Sequence, residues 1–264
     1  MNEVDLLFTE ILETDRVSLY LNQNKIIPKD KLQLISQALK RRINGEPIQY
    51  ILGKTEFMGL EFKVTPKVLI PRDDTEILVE KVISLVKENK ALSNPKILDL
   101  CTGSGCIAVS LAKFIKNAKV VAADISQDAL DIAKENALLN NVKVDFIQSD
   151  LFNSADLVTL CPCDIIVSNP PYVKEDEIQD LEPEVRHEPE IALNGGGNGL
   201  NFYSLIIVQA HKYLKNGGFL VLEIGFGQNE EIRGLFESSK NFKVIETVKD
   251  YNNIDRVLVA RFLG

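Results

Sequence analysis

From residue 96 onward, short apolar runs alternate with stretches of helical period, and this alternation limits the possible folds more than any other feature of the chain. The runs over 96–100, 119–124, 144–148 and 164–168 are apolar at nearly every position, as strands buried on both faces must be. Helical stretches over 104–115 and 127–139 separate them. A helix over 200–214, a strand over 218–224, a helix over 228–238 and strands over 242–248 and 256–262 follow. A further helix over 75–88 carries Ile77, Leu78, Val82, Leu85 and Val86 on one face. Strands that alternate with helices have to cross over between pairings. The pattern therefore predicts an α/β, Rossmann-like fold with a mostly parallel sheet covered on both sides.

Upstream the pattern differs. Residues 1–46 show helical period only, with Leu6, Leu7, Ile11 and Leu12 at one helical spacing and Leu32, Ile35, Leu39 and Ile43 at another. Pro28 marks a helix start, and Asn44-Gly45-Glu46-Pro47 is a stop. Over 47–71 two β-rich apolar runs are broken by Gly53 and Gly59, which predicts a β-hairpin connector. The expected organisation is a helical head over 1–46, the connector over 47–71 and a main domain over 72–264. The glycine-rich residues 194–199 read as a flexible loop.

Several function classes are excluded. No apolar run approaches the roughly 20 residues of a membrane span. The N-terminal stretch is acidic and does not read as a signal peptide. The four cysteines are Cys101, Cys106, Cys161 and Cys163, too few for a stapled secreted domain. Cys161 and Cys163 are spaced too closely for paired zinc ligands, and only His187 and His211 could assist them, so no metal is expected. The net charge of −8 argues against unaided binding of nucleic acid and suits a basic partner. A cytoplasmic protein without a membrane anchor is expected.

The segment Lys96-Ile97-Leu98-Asp99-Leu100-Cys101-Thr102-Gly103-Ser104-Gly105 is a strand, a glycine-bearing turn and a helix start. Gly103 and Gly105 allow a ligand to approach the backbone, and the helix start offers free N–H groups. The next strand ends in Asp124, placed to accept the ribose hydroxyls of a nucleoside. Two details favour S-adenosylmethionine over a dinucleotide. Ala108 stands where the third glycine of a dinucleotide turn would be, and Asp99 would repel a pyrophosphate but attract a methionine amine or sulfonium. After the third strand, Asp150 is placed for the adenine amino group and Leu151 or Phe152 for the ring.

Asn169-Pro170-Pro171-Tyr172 follows the strand over 164–168 and carries the chemistry. An amide nitrogen is a poor nucleophile because its lone pair is delocalised. Two acceptors that grip both N–H bonds can pull it toward tetrahedral geometry; the Asn169 side-chain oxygen and the Pro170 carbonyl are the candidates. Pro171 stiffens the loop, and Tyr172 offers a flat wall for a planar group. Collinear methyl transfer needs positioning more than a base.

These motifs, with Gly45-Glu46-Pro47-Ile48-Gln49-Tyr50, Leu69-Ile70-Pro71-Arg72-Asp73-Asp74-Thr75-Glu76 and Arg186-His187-Glu188-Pro189, resemble the HemK/PrmC family of protein-(glutamine-N5) methyltransferases nearly end to end. The resemblance implies a class I methyltransferase domain with a seven-stranded sheet, joined by a hairpin to a helical substrate-recognition head. It implies S-adenosylmethionine as methyl donor and, as substrate, the glutamine of the Gly-Gly-Gln loop of class I peptide chain release factors. Cofactor contacts are then expected from Asp99, Cys101, Thr102, Gly103, Ser104, Gly105, Asp124, Asp150, Leu151 and Asn169. The catalytic set is Asn169, Pro170 and Tyr172; Asn169, Pro170, Pro171 and Tyr172 bind the substrate. Arg72 and Glu76 are placed near the methionine end. The chain departs from the family pattern at Cys101, where glycine is usual, at Asp73, where proline is usual, and at Leu151, where some members carry an aromatic residue. Two alternatives share parts of this pattern: an adenine-N6 DNA methyltransferase, whose exocyclic amine presents the same two N–H groups, and a non-catalytic cofactor-binding module.

Overall fold

The computed structural model describes residues 2–21 and 26–264. The described residues form a small helical head, a two-stranded hairpin and a seven-stranded sheet with helices on both faces.

The head contains α1 (Glu3–Leu12), α2 (Arg16–Leu21), α3 (Lys29–Ile43) and α4 (Ile48–Leu52). Its core is Leu7, Ile35, Ala38 and Ile48, with Leu6, Ile11, Leu12, Ile51 and Leu52 packed around them. The expected apolar face of α3 needs correction. Ile35 is buried, but Leu32, Leu39 and Ile43 are exposed, and Ala38 takes the inner position. A short head buries only a narrow stripe of α3, and the small Ala38 allows the helices to approach closely. Residues 48–52 also correct the sequence reading, being helix and not strand. Ile48, Ile51 and Leu52 share one helical face toward the head core, and Gly53 ends the helix in the left-handed conformation at φ 76°.

The hairpin is therefore shorter than expected: β1 (Lys54–Phe57) pairs antiparallel with β2 (Leu60–Lys63). It is followed by α5 (Asp73–Glu88), β3 (Lys96–Leu100), α6 (Cys106–Phe114), β4 (Lys119–Asp124), α7 (Gln127–Leu139), β5 (Asp145–Gln148), α8 (Ala155–Leu160) and β6 (Cys163–Ser168). The chain closes with α9 (Asn201–Ala210), β7 (Leu214–Glu223), α10 (Asn229–Ser239), β8 (Phe242–Lys249) and β9 (Asp255–Phe262). The periodicity did not reveal α8, a single short turn of helix. It also carried the helix before β7 too far, because Leu214 belongs to the sheet, opposite Cys163.

The strand order is β5-β4-β3-β6-β7-β9-β8. The pairs from β5 through β7 are parallel; β9 runs antiparallel to both β7 and β8. Alternate residues of each strand feed opposite layers. Ile97, Val120, Ala122, Ile165 and Val221 pack with α5, α6 and the hairpin aromatics Phe57 and Phe62. Leu98, Leu100, Val121, Ile166 and Leu220 pack with α9 and α10. With apolar layers on both faces, the central strands β3, β4 and β6 have no polar side, as their sequence required, while the edge strands β5 and β8 expose polar residues.

The hairpin is fixed to the main domain by a buried amide. Asn136 of α7 accepts from the Lys63 N–H (2.7 Å) and donates to the carbonyls of Lys63 (3.0 Å) and Ser104 (2.9 Å). It thus joins β2, α7 and the turn after β3 at one point. Asn136→Ala should strand the Lys63 N–H and two carbonyls. We expect a loss of about 2–4 kcal/mol in urea unfolding, since each orphaned buried group costs roughly 1–3 kcal/mol; a loss below about 0.5 kcal/mol would contradict the clamp.

Candidate active site

The strand order reverses between β3 and β6, with β4 and β5 to one side and β7 to the other. In such sheets the crevice beyond the carboxyl ends of the strands at the reversal is where ligands bind. A cavity of about 240 Å³ lies there, walled by Gly103, Asp124, Asp150, Leu151, Asn169 and Pro171.

The turn after β3 is held tightly. The Thr102 N–H donates to the Ala123 carbonyl (3.0 Å) and the Gly103 N–H to Asp124 Oδ2 (2.8 Å). Asp124 Oδ1 accepts from the Ser126 N–H (2.9 Å). Gly105 sits at φ 80°, and a Cβ there would lie 2.9 Å from Ala133 Cβ, so only glycine lets α6 and α7 pack. Cys101 adopts φ 59° and Leu151 φ 48°, left-handed conformations that an L side chain holds at a cost of roughly 1–2 kcal/mol. This gives the physical reason why glycine would suit position 101.

Asp99 is fully buried behind the turn. Its Oδ2 accepts from Thr102 Oγ1 (2.5 Å), and among the described residues its Oδ1 has no partner. Burial pushes its carboxyl up to about 7, the Thr102 hydrogen bond opposes the rise, and Asp124 adds to it. Asp124 is also raised by burial, against the pull of the backbone N–H groups of Ser126 and Gly103. Asp99, a buried carboxyl with one free oxygen, and Asp124, at the cavity wall, fit a ligand with a positive charge and hydroxyl donors. S-adenosylmethionine has both.

Beyond β6 the chain turns at the mouth of this cavity. Ser168 Oγ donates to the Leu100 carbonyl (2.7 Å) and locks the end of β6 to the end of β3. The next residue, Asn169, donates from Nδ2 to Thr75 Oγ1 of α5 (3.1 Å). Pro170 and Pro171 are buried, and the Pro170 carbonyl accepts from none of the described residues. The Tyr172 carbonyl accepts from Gln228 Nε2 (3.1 Å). Residues 194–199, expected to be a flexible loop, are packed onto this segment. Gly195 donates to the Val173 carbonyl (2.7 Å), and a Cβ on Gly195 would lie 2.7 Å from Tyr172 Cα. Gly195 and Gly199 are thus required for close packing, whereas a Cβ on Gly197 would meet nothing.

Of the residues expected to bind, Cys101, Gly103, Asp124, Asp150, Leu151, Asn169 and Pro171 line the cavity. Asp99, Thr102, Ser104, Gly105, Pro170 and Tyr172 stand behind it or at its edge. Phe152 faces the core, stacked on Tyr213 with centroids 4.5 Å apart. Neither Arg72 nor Glu76 is part of the wall: Glu76 Oε1 accepts from the Met58 N–H of the hairpin turn, and Arg72 pairs with the buried Glu188. Sequence reasoning gave no role to Val68, Leu69, Pro189, Ile191, Ala192 or Phe202, which supply further apolar wall. Their nearest signal was the motif around Glu188, which holds the Ile70 N–H (3.1 Å) as well as Arg72 and so brings two wall segments together.

Residues 74–199 match the methyltransferase small domain and residues 1–53 the PrmC N-terminal domain. A release factor glutamine methyltransferase from Thermodesulfovibrio yellowstonii is 43% identical, covering 99% of this chain and 92% of that protein. One from Geobacter sulfurreducens is 42% identical, covering 98% and 88%. The chain belongs to the release factor glutamine methyltransferase family. A methyltransferase from Pyrococcus furiosus shares the fold at a TM-score of 0.56 and 19% identity, covering 87% of this chain and 99% of that one. In this family member no helix among the described residues is long and apolar enough to cross a membrane.

The raised carboxyl of Asp99 has a consequence for stability. Between the unfolded pKa near 4 and the folded value, the native state holds the proton more tightly than the unfolded state. Asp99 therefore favours the fold at low pH, and this contribution is lost as pH rises through about 7. Asp99→Asn cannot ionise. Its stability relative to the wild type should rise from about pH 5 to about pH 8 in urea titrations. A gap that stays constant with pH would contradict this account.

Proposed function

We propose that the enzyme transfers a methyl group from S-adenosylmethionine to the side-chain nitrogen (N5) of the glutamine in the Gly-Gly-Gln loop of class I peptide chain release factors, as a cytoplasmic protein. The observation that carries this reading is the orientation of Asn169. Its nitrogen is engaged by Thr75, which leaves its Oδ1 as an acceptor at the cavity wall, and the carbonyl of the next residue, Pro170, accepts from none of the described residues. Two acceptors one residue apart suit a group that presents two N–H bonds, as a primary amide does. S-adenosylmethionine would supply an activated methyl group. Asp124 would hold the ribose hydroxyls, Asp150 and Leu151 the adenine, and Asp99 would favour the cationic methionine end from behind the turn.

Asn169 and Pro170 would grip the amide N–H bonds and aim the nitrogen lone pair, while Tyr172 walls the planar group. The buried prolines and the glycine loop keep these acceptors rigid, so little reorganisation is needed during transfer. Relatives named release factor glutamine methyltransferase support the choice of a glutamine over a base. We assign the helical head over 1–46, with exposed Leu21, Leu32 and Ile43, to recognition of the protein substrate. The connector over 47–71 and the catalytic domain over 72–264 complete this division. No metal takes part in the proposed reaction.

The decisive experiment offers radiolabelled methyl donor with purified release factor or duplex DNA. Label on the factor, lost when its loop glutamine is replaced, is the expected result; label on DNA would overturn the reading. Asn169→Ala should keep cofactor affinity and lose about 10²–10³ in turnover, the scale for one preorganised polar group at a reacting centre; wild-type turnover would refute the gripping role. Asp124→Ala should weaken cofactor binding by about 1–3 kcal/mol in calorimetry. Unchanged affinity would remove the ribose assignment.

A further inference from the structure

Asn169 can serve as an acceptor only if its amide is turned one way round, and the neighbouring side chains bear on that choice. Thr75 is buried on the first turn of α5, and its hydroxyl receives the Asn169 Nδ2–H. A hydroxyl that accepts still has one proton to donate. Beside it lies Glu223, the last residue of β7 and almost fully buried; among the described residues its Oε2 has no hydrogen-bond partner. Thr75 and Asn169 adjoin this carboxyl, and both oppose the rise that burial gives its pKa.

We infer that Glu223, acting through Thr75, is a positioning residue that orients the Asn169 amide so that its oxygen, not its nitrogen, faces the reacting group. An ionised carboxylate can only accept. The chain of bonds then runs one way, from Asn169 N–H to Thr75 and from Thr75 O–H to Glu223. A protonated Glu223 can donate, so the chain can reverse. Thr75 would then donate to Asn169 Oδ1, and the Asn169 amino group would confront the substrate with donors where acceptors are needed. This role rests on the proposed amide-gripping function and adds a control point to it.

The surroundings place this switch near neutral pH. Burial drives the Glu223 carboxyl up to about 7; Thr75, Arg256 and Asn169 pull it down, and Asp74 pushes it up. Arg256 reaches in from β9 and is itself held by Asp250 (3.0 Å) and Asp74 (3.1 Å). Tyr172 and Tyr203 face the same region; Tyr203 Oη donates to the Glu223 backbone carbonyl (3.0 Å), and Cys106 lies near from α6.

The test compares Glu223→Gln, Thr75→Val and Thr75→Ser in the full chain. Glu223→Gln and Thr75→Val should each lower kcat by about tenfold, the effect of one lost orienting hydrogen bond, with S-adenosylmethionine affinity unchanged. Thr75→Ser keeps the hydroxyl and should restore near-wild-type kcat. In an Asp99→Asn background at saturating cofactor, which removes the other carboxyl raised to about 7, kcat should fall as pH falls through about 7, and adding Glu223→Gln should remove that acid limb. Wild-type kcat in Thr75→Val, or an acid limb that persists when Glu223→Gln is added to that background, would overturn the relay. A readout independent of substrate separates this from failure of the methyl-transfer reading: the Asn169 side-chain N–H signals in 15N-labelled protein, assigned with Asn169→Asp. They should exchange slowly above about pH 7 and lose protection below it in the wild type, without that step in Glu223→Gln. Signals that show no such step in the wild type would overturn the relay whatever the substrate proves to be.

Discussion

The parallel pairing of β3 with β6 is the constraint on which the site depends. Its register sets Leu100 opposite Ser168, and the Ser168 hydroxyl then bonds the Leu100 carbonyl. The glycine turn begins one residue after the first strand, and the Asn169 segment one residue after the second. The two loops proposed to bind ligands, far apart in sequence, are therefore neighbours because two strands end level. A shift of one residue in this pairing would exchange the layers that the β6 side chains feed and would carry Asn169 away from Thr75. The apolar layers on both faces hold the register, since every strand residue has a fixed side to fill.

Buried polar groups then do what apolar packing cannot, which is to fix direction. Asn136 joins the hairpin, α7 and the cofactor turn through three bonds. Glu188 draws Arg72 and the Ile70 N–H together and so brings two walls of the cavity into contact. Thr75, Glu223, Arg256, Asp74 and Asp250 form a third such group behind Asn169. Each is costly to bury and valuable only when satisfied. Of the six buried side-chain atoms without a hydrogen-bond partner among the described residues, two, Asp99 Oδ1 and Glu223 Oε2, are carboxyl oxygens next to the two places where ligands are proposed to bind.

The fold was largely legible in the sequence because a doubly covered sheet writes itself as continuous apolar runs. β3, β4 and α7 begin and end where the pattern puts them. Misreadings occurred where local pattern is ambiguous. Ile48 to Leu52 are apolar enough for a strand, and only the head core against which they pack makes them helix. Leu32, Leu39 and Ile43 have helical spacing yet stay exposed, because the head offers α3 too narrow a partner. The glycine-rich residues 194–199 read as flexible from composition, but Gly195 and Gly199 are tightly packed because the Tyr172 backbone leaves no room for a Cβ.

By itself the sequence determined the α/β class and singled out the glycine turn, Asp124 at the end of the next strand and the Asn-Pro-Pro-Tyr segment, since each is a contiguous pattern with its own local chemistry. The tertiary structure alone decided how these parts are held. Arg72 and Glu76 turned out to grip Glu188 and the hairpin instead of lining the cavity, and Thr75 and Glu223 proved to stand behind Asn169. Local patterns report what a segment prefers. Which buried donor meets which buried acceptor depends on the folding together of α5, β6 and β7, segments widely separated along the chain, and no single stretch of sequence records that meeting.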